Sequence, residues 1–376
     1  MLMGRQKLVI VLYFLLPILP AFAQTKTPHD GFFRGNALLD QKKYREAIAA
    51  YTEILTVDPI STEAYNKRGL AKLELKEYQG TLADFNRSIE LDASNPKTFR
   101  NRAVTKLRLR NYEPAFTDFA QAIALAPQDP ELYLGRAMGL VLAGKLKPAL
   151  ADFDASLRLK PTAPAYLEKG NCLLALNSLQ LALQSFKKAQ DLQPDLAEAY
   201  YKSGLTYDKL GNTESAIKDY LQANRLDPKL AESFFNQASI KYEKKDYRGS
   251  LEDFNSFVAF KPNQVEGYAN RAMVQEQLNN HSAALLDWNK AISLQPQEAT
   301  YFTKRGEISI KLEQYTDAEK DFSQAITLDE KHAAAWFGRG FARVALKKKA
   351  LGCQDYQMAK KLGSPHAAGF IAQSCK

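Results

Sequence analysis

Residues 99–119 read FRNRAVTKLRLRNYEPAFTDF. Two small residues, Ala103 and Ala115, stand twelve apart, and Phe119 follows the second by four. Four residues make about one helical turn, so Ala115 and Phe119 share a helix face. Phe99 precedes Ala103 by the same interval, and a polar link at Arg110-Asn111 separates the two halves. Helices approach to about 8 Å only where the facing side chains are small. The stretch therefore predicts two amphipathic helices that cross at Ala103 and Ala115, with Phe119 filling the gap beside the crossing.

The pattern recurs in both directions. The first small position is held by Gly35, Gly69, Ala103, Ala137, Gly170, Gly204, Ala238, Ala272, Gly306 and Gly340. The step is 34 except between Ala137 and Gly170, where it is 33. The aromatic of the second helix runs through all ten units, from Tyr51 and Phe85 to Phe322 and Tyr356. An aromatic four residues before the first small position is present in nine units, Gly31 being the exception. Pro closes seven units, for example at Pro59 and Pro127, where it cannot continue a helix. One such unit cannot bury its own apolar faces, so neighbours must stack on it.

On these residues the chain resembles the tetratricopeptide repeat family, from residue 28 to about 366. The resemblance implies an all-α fold, an α-solenoid of about ten antiparallel helix pairs in a right-handed superhelix. It implies a repeat array over residues 24–366 and a C-terminal capping helix over 367–376. It also implies that the first helix of each unit lines a concave groove, where a protein or peptide partner binds. The residues three before and one, four and five after each first small position are then expected to face that groove. In the middle units these include Arg100, Arg108, Leu134, Met138, Leu167, Asn171, Tyr201, Phe235 and Tyr242. The family's chaperone-binding clamp for a terminal carboxylate does not carry over. Asn36 and Asn171 stand at its Asn position, but Phe32 and Leu167 stand where it needs Lys.

A cation precedes the first small residue in most units, as in Arg34, Arg68, Arg102, Arg136, Lys169, Arg271, Arg305 and Arg339. An Asp precedes the second-helix aromatic in most, as in Asp84, Asp118, Asp152, Asp219, Asp253, Asp287, Asp321 and Asp355. Repetition at fixed phase marks a structural ion pair rather than eight copies of an active site. Pairing within a unit leaves Lys169, Asp219 and Asp253 without partners. Pairing between neighbours leaves fewer orphans, because Ser185 then meets Ser203, and it is the expected scheme.

Residues 1–23 read as a signal peptide: Arg5 and Lys7, an apolar run from Leu8 to Leu19, then Pro20 and Ala21-Phe22-Ala23. The run is shorter than the roughly 20 apolar residues of a membrane span. The expected location is periplasmic or secreted, with no transmembrane segment after cleavage. The formal charge of +9 falls by two when Arg5 and Lys7 leave.

Three cysteines occur, at 172, 353 and 375. A turn at Gly363-Ser364 divides two helices that would run antiparallel. Cys353 and Cys375 lie about equally far from that turn, so a disulfide is expected there, with two free thiols as the alternative. Bacterial exported repeat proteins with a Gly-Cys-x-Asp-aromatic ending resemble this segment. Cys172 is expected to be a small apolar filler.

His29, His281, His332 and His366 fall in different places and form no metal-ligand spacing. No phosphate loop or nucleophile elbow occurs, so neither metal, cofactor nor enzyme activity is expected. The favoured reading is an interaction scaffold of the cell envelope. A module for a cell-wall glycan or other anionic ligand is the alternative, and self-association through the groove stripe is a competitor. The export signal argues against a nucleic-acid reader.

Overall fold

The structure is a computed structural model that describes residues 28–375. The signal segment expected at 1–23 lies outside the described residues. The described chain has 21 helices and no strand. It divides into two compact bodies, one ending at Ala143 and one beginning at Gly144.

In the first body the helices are α1 (Pro28–Asp40), α2 (Tyr44–Val57), α3 (Thr62–Glu74), α4 (Tyr78–Leu91), α5 (Pro96–Arg108), α6 (Tyr112–Leu125) and α7 (Pro130–Leu142). The second body begins with α8 (Leu146–Leu159), α9 (Ala163–Ala175), α10 (Leu179–Leu192), α11 (Ala197–Lys209), α12 (Thr213–Leu226) and α13 (Ala231–Glu243). It continues with α14 (Tyr247–Phe260), α15 (Val265–Gln277), α16 (His281–Leu294), α17 (Ala299–Lys311) and α18 (Tyr315–Leu328). It ends with α19 (Ala333–Ala345), α20 (Lys349–Lys361) and α21 (Ala367–Ser374). Within each body consecutive helices stack as antiparallel pairs, α1–α2 to α5–α6 in the first and α9–α10 to α19–α20 in the second, an α-solenoid. The single-residue slip falls in a link, not a helix. Lys160-Pro161-Thr162 joins α8 to α9 with three residues, whereas Asp58–Ser61 uses four.

Inside each pair the turn has one geometry. The residue seven after the first small position has positive φ in all ten repeats, from Lys42 (60°) to Lys347 (63°). Only Gly144 and Gly211 are glycines there, so eight repeats hold an ordinary side chain in the left-handed region. The next N–H reaches back five residues, as in Lys43 to the Leu38 carbonyl at 2.8 Å and Glu77 to Lys72 at 2.9 Å. This satisfies carbonyls that the helix end would leave open, and it offsets the backbone strain.

The core is the crossing read from the sequence. Ala103, Ala115 and Phe119 are all fully buried. A methyl group added at Gly170 would sit 2.4 Å from the Phe186 ring, and one at Gly69 would sit 2.7 Å from Phe85.

The ion pairs do not join neighbouring repeats as expected. Arg68 binds Asp84, Arg102 binds Asp118, Arg271 binds Asp287, Arg305 binds Asp321 and Arg339 binds Asp355, each within one repeat. The reason is the crossing itself. Gly69 rests on Phe85, so the residues preceding each are also neighbours. What reaches the previous repeat is another guanidinium nitrogen, which meets a neutral side chain: Thr52, Asn86, Asn255, Asn289 or Ser323. The same Arg lies over the aromatic three residues before it, as with Arg339 at 4.6 Å from the Trp336 ring centre. Asp253 is no orphan, because the Lys241 ammonium lies 2.8 Å from it. Lys72, Lys106 and Arg343 stand at the equivalent place against Asp84, Asp118 and Asp355. Lys169 turns to Asp154 at 2.6 Å, since Ser185 replaces its own Asp.

Cys353 and Cys375 form a disulfide with their Cα atoms 5.7 Å apart. It ties α21 to α20. Phe370 of α21 also packs on Phe337, Tyr356 and Phe341. Cys172 is free and buried, and its thiol lies 3.4 Å from the Leu146 carbonyl oxygen.

Candidate functional site

The first helices of the second body carry two adjoining cavities. One, of about 290 Å³, is lined by Tyr201 of α11 and by Glu232, Phe235 and Asn236 of α13, with Phe257, Lys261, Gln264 and Glu266 closing it. The other, of about 250 Å³, is lined by Ser239, Tyr242, Glu243, Phe254, Asn270 and Met273. The rings of the aromatic floor are packed from behind. Phe235 lies 5.5 Å from Phe254 and 5.0 Å from Phe257. Tyr242 lies 5.5 Å from Tyr247, and Tyr201 lies 6.1 Å from Tyr220.

The charges here differ from those of the ladder. Glu232 is held by Lys261 at 3.1 Å, and Glu276 by Lys311 at 2.5 Å. Asp208 and Glu243, on α11 and α13, form no ion pair among the described residues. Burial, and then Glu243, push the Asp208 carboxyl above its ordinary range, and Lys209 does not offset them. Burial and Glu232 push the Tyr201 hydroxyl up in the same way.

Of the residues expected at the groove, Tyr201, Phe235 and Tyr242 thus line open space. Leu167 does not. It is 5% exposed and packs in the core with Ala163, Leu173 and Phe186, although it holds the same position in its repeat as Tyr201 and Phe235. Asn171 is half-buried, with its amide 3.4 Å from Glu168 on its own helix. In the first body Arg100 and Leu134 are half-buried, while Arg108 is exposed and Met138 is 46% exposed. Asn236 and Phe257 were not legible as lining residues. Asn236 stands at a position the groove rule omits, and Phe257 comes from a second helix.

Two further cavities lie in the second body. One of about 1070 Å³ lies among α8 to α11 and is lined by Asp154, Lys169, Ser185 and Lys187, where the ladder is broken. Another, of about 720 Å³, lies under α21 and is lined by Phe337, Phe341 and Phe370.

A family model described as tetratricopeptide repeat matches residues 34–96, 100–164 and 303–367. A second of the same description matches 197–230 and 265–298, and a TPR repeat model matches 170–211. The chain belongs to the tetratricopeptide repeat family. Among solved structures, the C-terminal part of a TPR repeat-containing protein from Cytophaga hutchinsonii is 22% identical with a TM-score of 0.54, covering 64% of this chain and 98% of that one. This likeness shows the fold. A tetratricopeptide repeat protein from Parabacteroides merdae is 19% identical, with a TM-score of 0.44, and covers 66% of this chain and 100% of that one. YrrB, described as a TPR protein with an unusual peptide-binding site, is 22% identical with a TM-score of 0.42, covering 49% of this chain and 95% of that one. A search of curated proteins finds no match. As a tetratricopeptide repeat protein the chain carries the architecture of a protein-protein interaction scaffold, in a family that is generally non-enzymatic.

Proposed function

We propose that this protein is an exported scaffold of the cell envelope that binds an extended peptide segment of a partner protein on its first-helix face. The observation that carries the reading is the pair of aromatic-floored cavities at Tyr201, Phe235 and Tyr242. Each of these rings packs against the repeat core on one side and lines open space on the other, and half-exposed aromatics flanked by polar groups are typical anchors for a partner. Export is supported by the reading of residues 1–23 and by the Cys353–Cys375 disulfide, which suits an oxidising compartment. No helix among the described residues is long and apolar enough to cross a membrane.

The test is capture of partners from an envelope extract by the wild type and by Tyr201→Ala/Phe235→Ala. Loss of a protein partner in the aromatic variant is expected. Undiminished capture would move the site elsewhere.

The second reading, an anionic non-protein ligand, is favoured by Arg100 and Arg108, which take no carboxylate partner among the described residues. It expects salt-sensitive loss of a polymer only in Arg100→Glu/Arg108→Glu.

A further inference from the structure

The cavity of about 720 Å³ beneath α21 differs in chemistry from the Tyr201–Phe235 cavity, although both are built on the same repeat position. Phe337 stands three before its small residue, as Tyr201 and Phe235 do. Around Tyr201 and Phe235, polar atoms come from Glu232 and Glu266, six before their small residues, and from Asn236, two before. In the last repeat these places hold Ala334 and Gly338, and both line the cavity. Gly338 has a packing reason, since a methyl group there would lie 2.4 Å from Phe322. Ala334 is exposed, so packing does not demand its small size. Glu63, Glu131 and Glu198 fill its place in three further repeats.

The other walls are aromatic and packed against one another. Phe370 of α21 lies 5.0 Å from Phe337 at 87° and 6.1 Å from Phe341. His366 lies 5.9 Å from Phe337, and α21 itself is held by the Cys353–Cys375 bond. Among the lining residues the lysine and carboxylate side chains are Lys311 and Glu307, and both are already engaged. Lys311 meets Glu276 at 2.5 Å, and Glu307 meets Lys304 at 2.8 Å. An ion entering the cavity would lose water and find no free counter-charge. An uncharged apolar molecule meets no such cost. Small-molecule sites are usually about 300–1,000 Å³ and lined mainly by apolar and aromatic side chains, and this cavity has that size and lining.

We propose that this cavity binds a small uncharged apolar molecule, aromatic or lipid-like in character, between Phe337, Phe341 and Phe370. The ligand replaces water on the three rings, and Ala334 leaves the room that a glutamate takes in other repeats. The disulfide keeps α21 in place as a wall of the site. A ligand that binds only when α21 is docked also favours the docked state. The site is independent of the peptide-binding reading above, because Tyr201, Phe235 and Tyr242 take no part in it.

The test uses two dyes of closely similar ring system, uncharged N-phenyl-1-naphthylamine and anionic 8-anilinonaphthalene-1-sulfonate. Each is titrated by fluorescence into the disulfide-intact protein, Ala334→Glu, Ala334→Trp and Phe235→Ala. The uncharged dye is expected to fill one saturable site, about tenfold or more tightly than the sulfonate. Ala334→Glu installs the residue that five other repeats carry, so it should fold even if the Trp variant does not. Both Ala334 variants should weaken the uncharged dye by about tenfold or more, and Phe235→Ala should leave it unchanged. Bound dye should also slow amide exchange across Ala367–Ser374. The proposal is overturned by no saturable binding up to the solubility of the dye, by equal binding of the two dyes, by binding that survives Ala334→Glu, or by loss in Phe235→Ala. A dimer in sedimentation that Ala334→Glu dissolves would also overturn it and give the cavity to a second copy. Envelope capture of a protein that is lost in Ala334→Glu but kept in Phe235→Ala would overturn it in favour of a partner segment.

Discussion

Arg102 grips Asp118 with two nitrogens, at 2.9 and 2.7 Å, and sends the third to Asn86 of the preceding repeat at 2.8 Å. Lys106 approaches the same carboxylate at 2.7 Å. The Asp118 side chain is 4% exposed, so its loss leaves two half-buried cations facing one another. Asp118→Ala is expected to destabilise the first body by about 3–5 kcal/mol. Asn86→Ala removes a single neutral partner and should cost about 0.5–1.5 kcal/mol. Urea unfolding of both variants compares them. A smaller loss for Asp118→Ala than for Asn86→Ala would assign stacking to the neutral contact instead.

The α21 helix has eight residues, too few to stand alone in water. The disulfide closes a 22-residue separation, which is worth about 3 kcal/mol in the chain-entropy account. The Phe370 contacts add roughly 0.5–1.5 kcal/mol for each ring pair. Cys375→Ser should therefore speed amide exchange across Ala367–Ser374 without releasing the helix. Cys375→Ser/Phe370→Ala should release it, leaving exchange in α9 to α15 unchanged. Full protection of α21 in the double variant would show that neither feature holds it.

The repeat was legible because every unit must solve the same packing problem, and small and aromatic residues at fixed spacing are its solution. The direction of the ion pairs was legible in principle as well. Once Gly69 is placed on Phe85, Arg68 and Asp84 must also meet. Counting orphans pointed the other way, because it overlooked the second cation at Lys241 and the turn of Lys169 toward Asp154. The groove was less legible. Leu167 and Tyr201 hold equivalent positions, yet one is core and the other lines a cavity. That difference depends on what the following repeat places opposite, which periodicity does not encode.

Gly170 shows how tight the crossing is. A methyl group there would lie 2.4, 2.7 and 2.9 Å from three atoms of the fully buried Phe186. Repeats with Ala at this position, such as Ala103 above Phe119, accommodate the extra carbon. The link before α9 is one residue short, which limits how far the helix can retreat. Gly170→Ala gains helix propensity of up to about 1 kcal/mol, but overpacking costs about 1–3 kcal/mol. A net loss is expected in thermal melts, whereas Gly144→Ala meets no atom within 4 Å and is strained only by its φ of 74°. A melt of Gly170→Ala equal to or above the wild type would mean that the α9–α10 pair can open.

Asp219 is a ladder carboxylate that forms no ion pair within its own repeat among the described residues. Ser203 stands where Arg stands elsewhere, and burial raises the Asp219 proton affinity despite Ser203, Lys218 and Lys187. A carboxyl whose folded value is raised takes up its proton more readily in the folded state. Its stability contribution is therefore lost as pH rises from the ordinary carboxylate value, about 3.9, through the folded one. Asp219→Asn should raise the melting temperature at pH 7, with the gain fading as the pH falls toward 4. Restoring the ladder takes two changes. In other repeats the Arg also touches a neutral side chain sixteen residues earlier, but here that place is held by Lys187. Ser203→Arg alone would put two cations together and gain little. Ser203→Arg/Lys187→Asn should stabilise the protein at pH 7 and reverse the sign of the pH dependence, since a paired Asp219 is protonated less readily when folded. Melts from pH 4 to 8 on the wild type and the three variants decide it. An Asp219→Asn protein less stable than the wild type at pH 7 would mean that Lys187 and Lys218 already supply the missing charge.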